Sequence, residues 1–531
     1  MKIQKSYIVI FFCMFICRPA TAQLFIDNAT FIIQPGATVT VQGDITSNTD
    51  IQGAGKVLLK GAALQNINMA GFTIPNLEID NALNATLTSN TKIGGSLLFT
   101  TGKIILGANN LTLADVATVS GQGTGKFIET DGTGQVIKNL AADVAATEIP
   151  IGLGTSYRPA FITSTGTYSS AAIGVKVVAQ SDISKPPMIS DYLAVNWPIT
   201  KTGVTGTVTV AGQYLDVTDF TGTETNLRGY FYDGTDWSSA GETHDVALHR
   251  VGAPVTAATG EITGLDKFTL TKAKVFLQGA YNTTTGVMSD ALRTPTNLIP
   301  LTAPYRNAPY NFVEVANPTA ETAAASVFAD QSNVNNNIVD WVFVELRNST
   351  VSPGNTVLQT RSALLKRDGN IVDVDGISPV TFNNTPNGNY TIAVRHRNHL
   401  GMSADPATNL LALDEKKSTA VLLDLTTAGA TKIYGTAAAF AIGGGKNLLW
   451  AGNANSNTNV KFVGLANDKD FILINTLGNN PAQVISNVYS PADLNMNGVV
   501  RFVGLNNDKD LLLINVLANT PSNQTAQALP N

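Results

Sequence analysis

Cysteine is nearly absent: Cys13 and Cys17 are the only two, and both sit in an apolar run close to the start. Beyond that run the chain has no disulfide, no thiol nucleophile and no cysteine-bound metal. Histidine is almost as scarce, with four in 531 residues, His244, His249, His396 and His399. That leaves few candidates for the commonest general base. Charged residues make up 14% of the chain, against about a quarter in an ordinary soluble protein. Thr, Asn, Ser and Gly take their place, which suits the surface of an extracellular β-protein. After Tyr7 to Cys17 no stretch is long and apolar enough for a transmembrane helix. No Gly-x-Ser-x-Gly elbow and no His-Glu-x-x-His pair occurs. The glycine clusters Gly121 to Lys126 and Gly443 to Lys446 lack the Ser/Thr and the strand-to-helix setting of a phosphate loop, so they read as flexible turns.

The first segment has the grammar of a secretory leader. Lys2 and Lys5 precede the apolar Tyr7 to Cys17, and Ala20-Thr21-Ala22 follows as an Ala-x-Ala cleavage site. Residues 1–22 are therefore expected to be a signal peptide cleaved after Ala22, and the mature protein to be secreted or held at the cell surface. Cys17 is followed by Arg18, which is not the small-residue context of a lipid anchor. Without Lys2, Lys5 and Arg18, 31 basic residues face 39 acidic ones, a net charge near −8. Such a balance argues against nucleic acid as a partner. The length accommodates three or four domains.

The pattern is mostly β. Over residues 23–118, short runs such as Phe31-Ile32-Ile33, Val57-Leu58-Leu59, Ser96-Leu97-Leu98-Phe99 and Leu111-Thr112-Leu113 recur between Gly and Asn turns with nothing helical among them. This predicts a β-solenoid, with a sandwich as the alternative. Solenoids of this kind also house polysaccharide lyases and pectin hydrolases, but the carboxylates here, Asp27, Asp44, Asp50, Glu78, Asp80 and Asp115, are scattered, and the first arginine of the mature chain is Arg158. A catalytic site needs such groups to converge.

Residues 119–274 read as a β-sandwich. In it Tyr230 to Trp237 predicts a hairpin closed at Asp233-Gly234, whose aromatics either fill a core or stack on sugar. His244 and His249 are isolated. Residues 275–309, with Pro295, Pro300, Pro304 and Pro309, read as an extended linker. Residues 310–440 predict an immunoglobulin-like or fibronectin-like sandwich, with a long strand Val339 to Arg347 and turns at Arg367 to Asn370 and Asn387-Gly388. His396 and His399 fall at a strand end without an acidic neighbour in sequence, so a turn and salt-bridge cluster is favoured there over a metal or catalytic site.

Residues 441–531 contain a duplication. Asn459 to Asn475 repeats as Val499 to Asn515, forty positions on. Each copy follows a row of oxygen-bearing side chains: Asp493, Asn495 and Asn497 before Gly498 in the later copy, and Asn453, Asn455 and Asn457 before Thr458 in the earlier one. Alternate oxygen ligands followed by a glycine turn are how a short loop wraps a hard cation such as calcium. Counting from Asp493, the twelfth position is Gly504, so the closing carboxylate must be Asp508 or Asp510 in this loop, and Asp468 or Asp470 in the weaker one. Affinity is expected at roughly the millimolar end of the calcium range. The competing reading is that these residues only make Asx-turns and helix caps.

The duplicated Asp-x-Asn-x-Asn-Gly loop running into an apolar helix resembles the dockerin family. That resemblance implies calcium binding and a cohesin-like partner, although the Phe502 to Asn507 segment is inserted relative to the family pattern. Trp341 to Arg347, Arg361 to Asp375, Asn387 to Gly401 and Leu448 to Asn453 together resemble secreted haemagglutinin-like surface proteins of Gram-negative bacteria, over about Val275 to Pro530. The expectation is a secreted, non-enzymatic adhesin or scaffold-type protein with a calcium-stabilised docking module. The alternatives are a carbohydrate-binding or polysaccharide-degrading component using the solenoid or the first sandwich, and a purely structural surface protein.

Overall fold

The computed structural model describes residues 22–182, 184–294, 296–350, 355–427, 432–442 and 445–530. The expected signal peptide, with Cys13 and Cys17, lies outside the described residues apart from Ala22. Strands account for 44% of the structure and helix for 6%, and the chain forms two compact units.

Among the described residues, the first unit comprises 22–180, 195–219 and 247–263. It opens with a β-solenoid of about six turns. One parallel ladder stacks Leu24 on Ile45, Ile45 on Ile67, Ile67 on Leu87, Ile104 on Ile128 and Ile128 on Ile151. A second face runs from Thr38–Val41 through Lys56–Leu59, Thr73–Asp80, Thr91–Thr101 and Leu111–Leu113 to Val136–Leu140. The period-two pattern is the cause: Val57, Leu59, Leu77, Ile79, Ile93, Leu97 and Phe99 are all buried between the faces, one turn above the next. The ladder runs on past Thr118 to Gly152.

Polar residues are used as rungs. Glu78 and Asp80 pair with Lys56 and Lys60, Asp44 accepts from the Asn66 backbone N–H, and Asp50 accepts from that of Thr73. Lys138 is buried and donates to three carbonyls, those of Ala114, Asp115 and Ala117, at 2.7–2.9 Å. The long strands Ala160–Val175 and Trp197–Gln213 then pair antiparallel.

The second unit comprises the described residues within 181–194, 220–246 and 264–530. Its centre is a nine-stranded, largely antiparallel sheet. In its central strand, Ile338–Arg347, all ten residues are buried, so both faces are covered. One cover is the segment expected to run as an extended linker. Phe276, Leu277, Met288, Leu292, Ile299 and Tyr305 belong to the hydrophobic core, Tyr305 donates its hydroxyl to the Trp341 carbonyl at 2.7 Å, and Trp341 Nε1 donates to the Pro300 carbonyl at 2.8 Å.

The aromatic hairpin is present, with Phe231 paired to Ser238 and Tyr232 to Trp237. Its turn centres one residue later than expected, on Gly234-Thr235, bridged from Asp233 N–H to the Asp236 carbonyl at 3.2 Å. Tyr230, Phe231 and Trp237 are buried, and Tyr230 and Trp237 pack with Phe268. Only Tyr232 is partly open to solvent.

Candidate metal centre

The two copies of the repeat fold alike and pair reciprocally. The strand after the first loop, Asn459–Lys461, pairs with Gln524–Ala526 at the end of the second copy. The strand after the second loop, Val499–Arg501, pairs with Val484–Ser486 at the end of the first. One apolar core holds both copies, through Val460, Ile472 and Leu477 from one and Val500, Leu512 and Leu517 from the other. Each helix begins with one α-turn, Asp468–Asp470 or Asp508–Asp510, and widens into π-helical turns over Phe471–Thr476 or Leu511–Val516.

The helix caps are Asn467 and Asn507, whose side chains accept from the N–H of Asp470 and Asp510. This sorts the possible closing carboxylates. Asp510 takes a hydrogen bond from Asn507 Nδ2 at 2.6 Å and pairs with Lys509 at 2.8 Å, which hold its carboxyl low. Asp470 does the same with Asn467 and Lys469. Both are partly solvated. Asp508 instead is fully buried and closes the loop, with one carboxylate oxygen accepting from Leu494 N at 2.8 Å and the other from Arg501 N at 2.9 Å. Asp468 repeats this with Asn455 N at 3.3 Å and Lys461 N at 2.9 Å.

At the head of the second loop, Asp493 is fully buried and accepts from Asn497 N at 3.1 Å and Gly498 N at 2.8 Å. Gly498 has φ +77, a conformation that favours glycine. Asn495 and Asn497 each accept one further backbone N–H, from Asn497 at 3.2 Å and Val499 at 2.9 Å. Every acceptor in the loop is oxygen. Burial pushes Asp493 up to about 6, and burial followed by the nearby charge of Asp493 pushes Asp508 up to about 8. Two carboxylates share one desolvated loop, and a divalent cation would neutralise both.

The first loop repeats the Asn side-chain turns and carries a different charge. Asn455 and Asn457 accept from Asn457 N and Asn459 N as their counterparts do. Asn453, in the place of Asp493, donates Nδ2 to the Asn457 carbonyl at 2.8 Å, and its Oδ1 is buried with no hydrogen-bond partner. Burial raises Asp468 to about 7, with no second carboxylate contributing. An orphaned carbonyl oxygen in such a loop is the kind of donor a hard cation takes. The first loop thus carries one carboxylate fewer than the second.

Both loops rest on one corner of the sheet, at Arg397-Asn398. Asn398 accepts from the Asn453 N–H through its carbonyl at 3.1 Å, and donates Nδ2 to the Asp493 carbonyl at 2.7 Å. Arg397 is fully buried, donates Nε to Asp340 at 2.8 Å and a second N–H to the Ser490 carbonyl, and stacks on Tyr489. Tyr489 donates its hydroxyl to Asp340 at 2.7 Å. His396 contacts Asp340 at 3.1 Å and His399 at 3.0 Å. His396 therefore does have an acidic partner, Asp340, on another strand, whereas His399 accepts from the Gly279 N–H at 3.0 Å. Burial would raise Asp340, but Arg397 and the hydrogen bonds from His396 and Tyr489 outweigh it and hold the carboxyl at about 2. Burial lowers both histidines, His399 the more strongly. This cluster is an anchor, with its polar groups turned on one another.

No known family matches the chain, and neither the curated proteins nor the solved structures contain a detectable relative.

Proposed function

We propose that the protein is a secreted or surface-associated, non-enzymatic adhesin or scaffold-type protein whose C-terminal duplicated module binds calcium and mediates docking. The observation that carries the reading is the pair Asp493 and Asp508, two fully buried carboxylates in a loop whose acceptors are all oxygen. The second loop is the principal site, with Asp493, Asn495, Asn497 and Asp508 as its side chains. The first, with Asn453, Asn455, Asn457 and Asp468, is weaker.

Docking is supported by symmetric apolar tips. Leu465 is 92% exposed and Leu505 82%, each accompanied by a half-exposed Val and Ile, Val463 and Ile474 in one copy and Val503 and Ile514 in the other. Exposed apolar groups repeated at equivalent positions mark an interaction surface. The tips lie in the segments inserted relative to the dockerin pattern, so a cohesin-like partner would have to accommodate them. On the aromatic hairpin the glycan reading lacks an open platform, because Tyr230, Phe231 and Trp237 are buried.

The test is thermal unfolding of the mature chain in 10 mM calcium and in chelator. With a dissociation constant near 1 mM, calcium adds on the order of 1.4 kcal/mol of stability by mass action, and Asp493→Ala abolishes the difference. Identical melting of the wild type in calcium and in chelator contradicts the reading.

A further inference from the structure

Away from the C-terminal module, the second unit has two adjoining clefts that share Pro379 and Lys417. The larger, of about 420 Å³, opens where the strand Phe268–Lys274 changes partner. Thr271 pairs with Val380, Ala273 pairs with Ile371, and Lys272 sits at the fork between them. Its floor is aliphatic, from Ala273, Ile371, Val372 and Leu422, and Ile377 on its rim is 73% exposed. Three lysines border it, Lys272, Lys366 and Lys417. Lys272 Nζ donates to the Lys417 carbonyl at 2.8 Å, and among the described residues none of the three ammonium groups forms an ion pair. The neighbouring cleft, of about 380 Å³, continues the path past Pro186, Pro187 and Tyr232. Its one carboxylate, Asp375, is already taken by the N–H groups of Ile377 and Ser378 and by the Ser378 hydroxyl.

In a chain with net negative charge, three lysines around an aliphatic floor make a local field of the opposite sign, which Asp368 and Asp375 offset in part at Lys366. We propose that this pair of clefts is a docking groove for an extended acidic peptide segment of a partner protein, one that alternates carboxylates with aliphatic side chains. The carboxylates meet Lys272, Lys366 and Lys417, and the aliphatic groups enter the floor between Ile371 and Leu422. The lysine-bordered cleft has no aromatic face on which a sugar ring would stack, and of the two aromatics lining the neighbouring cleft Trp237 is buried and stacked on Tyr232 at 4.6 Å, so a peptide is favoured over an anionic glycan. The site is independent of the calcium loops.

The experiment is fluorescence-anisotropy binding of a labelled eight-residue peptide alternating Glu and Leu to the mature chain in excess calcium, compared with a Lys-Leu peptide, poly-glutamate and polygalacturonate. Saturable binding of the Glu-Leu peptide is expected, with at least tenfold weakening in Lys366→Glu/Lys417→Glu and with the Lys-Leu peptide. Affinity should also fall as salt is raised. Ile377→Asp, on an exposed loop where folding is not at stake, should weaken binding without changing the melting curve, and Lys126→Glu should leave it unchanged. Equal binding of poly-glutamate, tighter binding of polygalacturonate, no binding, or binding indifferent to both groove variants would overturn the proposal.

Discussion

The loops headed by Asn453 and Asp493 share a closing aspartate and an asparagine helix cap, and differ at two places that matter. Asp493 brings a second buried carboxylate where Asn453 brings a neutral amide with an orphaned oxygen. Gly498 takes a left-handed turn at φ +77, whereas its counterpart Thr458 is not in that region. Scaffold and ligand charge are thus separable in this fold. The reciprocal strand pairing and the common core hold both loops, and the head residue sets how much buried charge each loop carries.

The comparison breaks hardest at the corner both loops share. Asp340→Asn leaves Arg397 buried without its counter-charge and should cost about 3–5 kcal/mol in urea denaturation, with both loops loosened together. The acid limb of stability carries the same signature. Asp340 is held near 2 against an ordinary value of 3.8, so its contribution is full above about pH 4 and is lost as pH falls from there toward 2, by roughly 2 kcal/mol. Asp340→Asn should flatten that limb. His396 and His399, held neutral by burial, act in the same direction but begin to act just below their ordinary value of 6.5, so the two windows can be told apart.

Closing the loops offers the next contrast. Asp508→Ala should abolish the calcium-dependent rise in melting temperature, while Asp468→Ala should leave most of it. In the other direction, Asn453→Asp with Thr458→Gly should make the first loop resemble the second and tighten its calcium binding by about tenfold, consistent with the dependence of such sites on ligand charge. Asn467→Ala and Asn507→Ala remove equivalent caps and should each cost about 1 kcal/mol in thermal unfolding. Asp470→Asn and Asp510→Asn touch only partly exposed ion pairs and should change stability by less than about 0.5 kcal/mol, with calcium binding unaltered.

The repeat and the solenoid were legible in the sequence because both are local. A forty-residue offset and a period-two apolar pattern are visible in one dimension, and parallel stacking follows from them. The choice of Asp508 over Asp510 was not legible, since it depends on Asn507 capping the helix and drawing Asp510 outward. The partner of His396 and Arg397 was hidden by distance along the chain, as Asp340 lies on a different strand and Tyr489 ninety-two positions beyond Arg397. Residues 275–309 read as a linker because proline and asparagine dominate the pattern, yet Leu277, Met288, Ile299 and Tyr305 were the signal that the segment packs. The lysine-rimmed groove draws on three separate strands and loops and has no sequence signature.

Site counting by titration calorimetry tests the central claim most directly. Calcium is added to the wild-type chain from Gln23 onward, to Asp493→Ala and to Asn453→Asp/Thr458→Gly, with circular dichroism confirming the fold of each. The account predicts one principal saturable site in the wild type, its loss in Asp493→Ala, and a second site of similar strength in the double variant. Heat that is unchanged in Asp493→Ala, or no heat in the wild type up to several millimolar calcium, would contradict it and leave both loops as turns held by their own backbone.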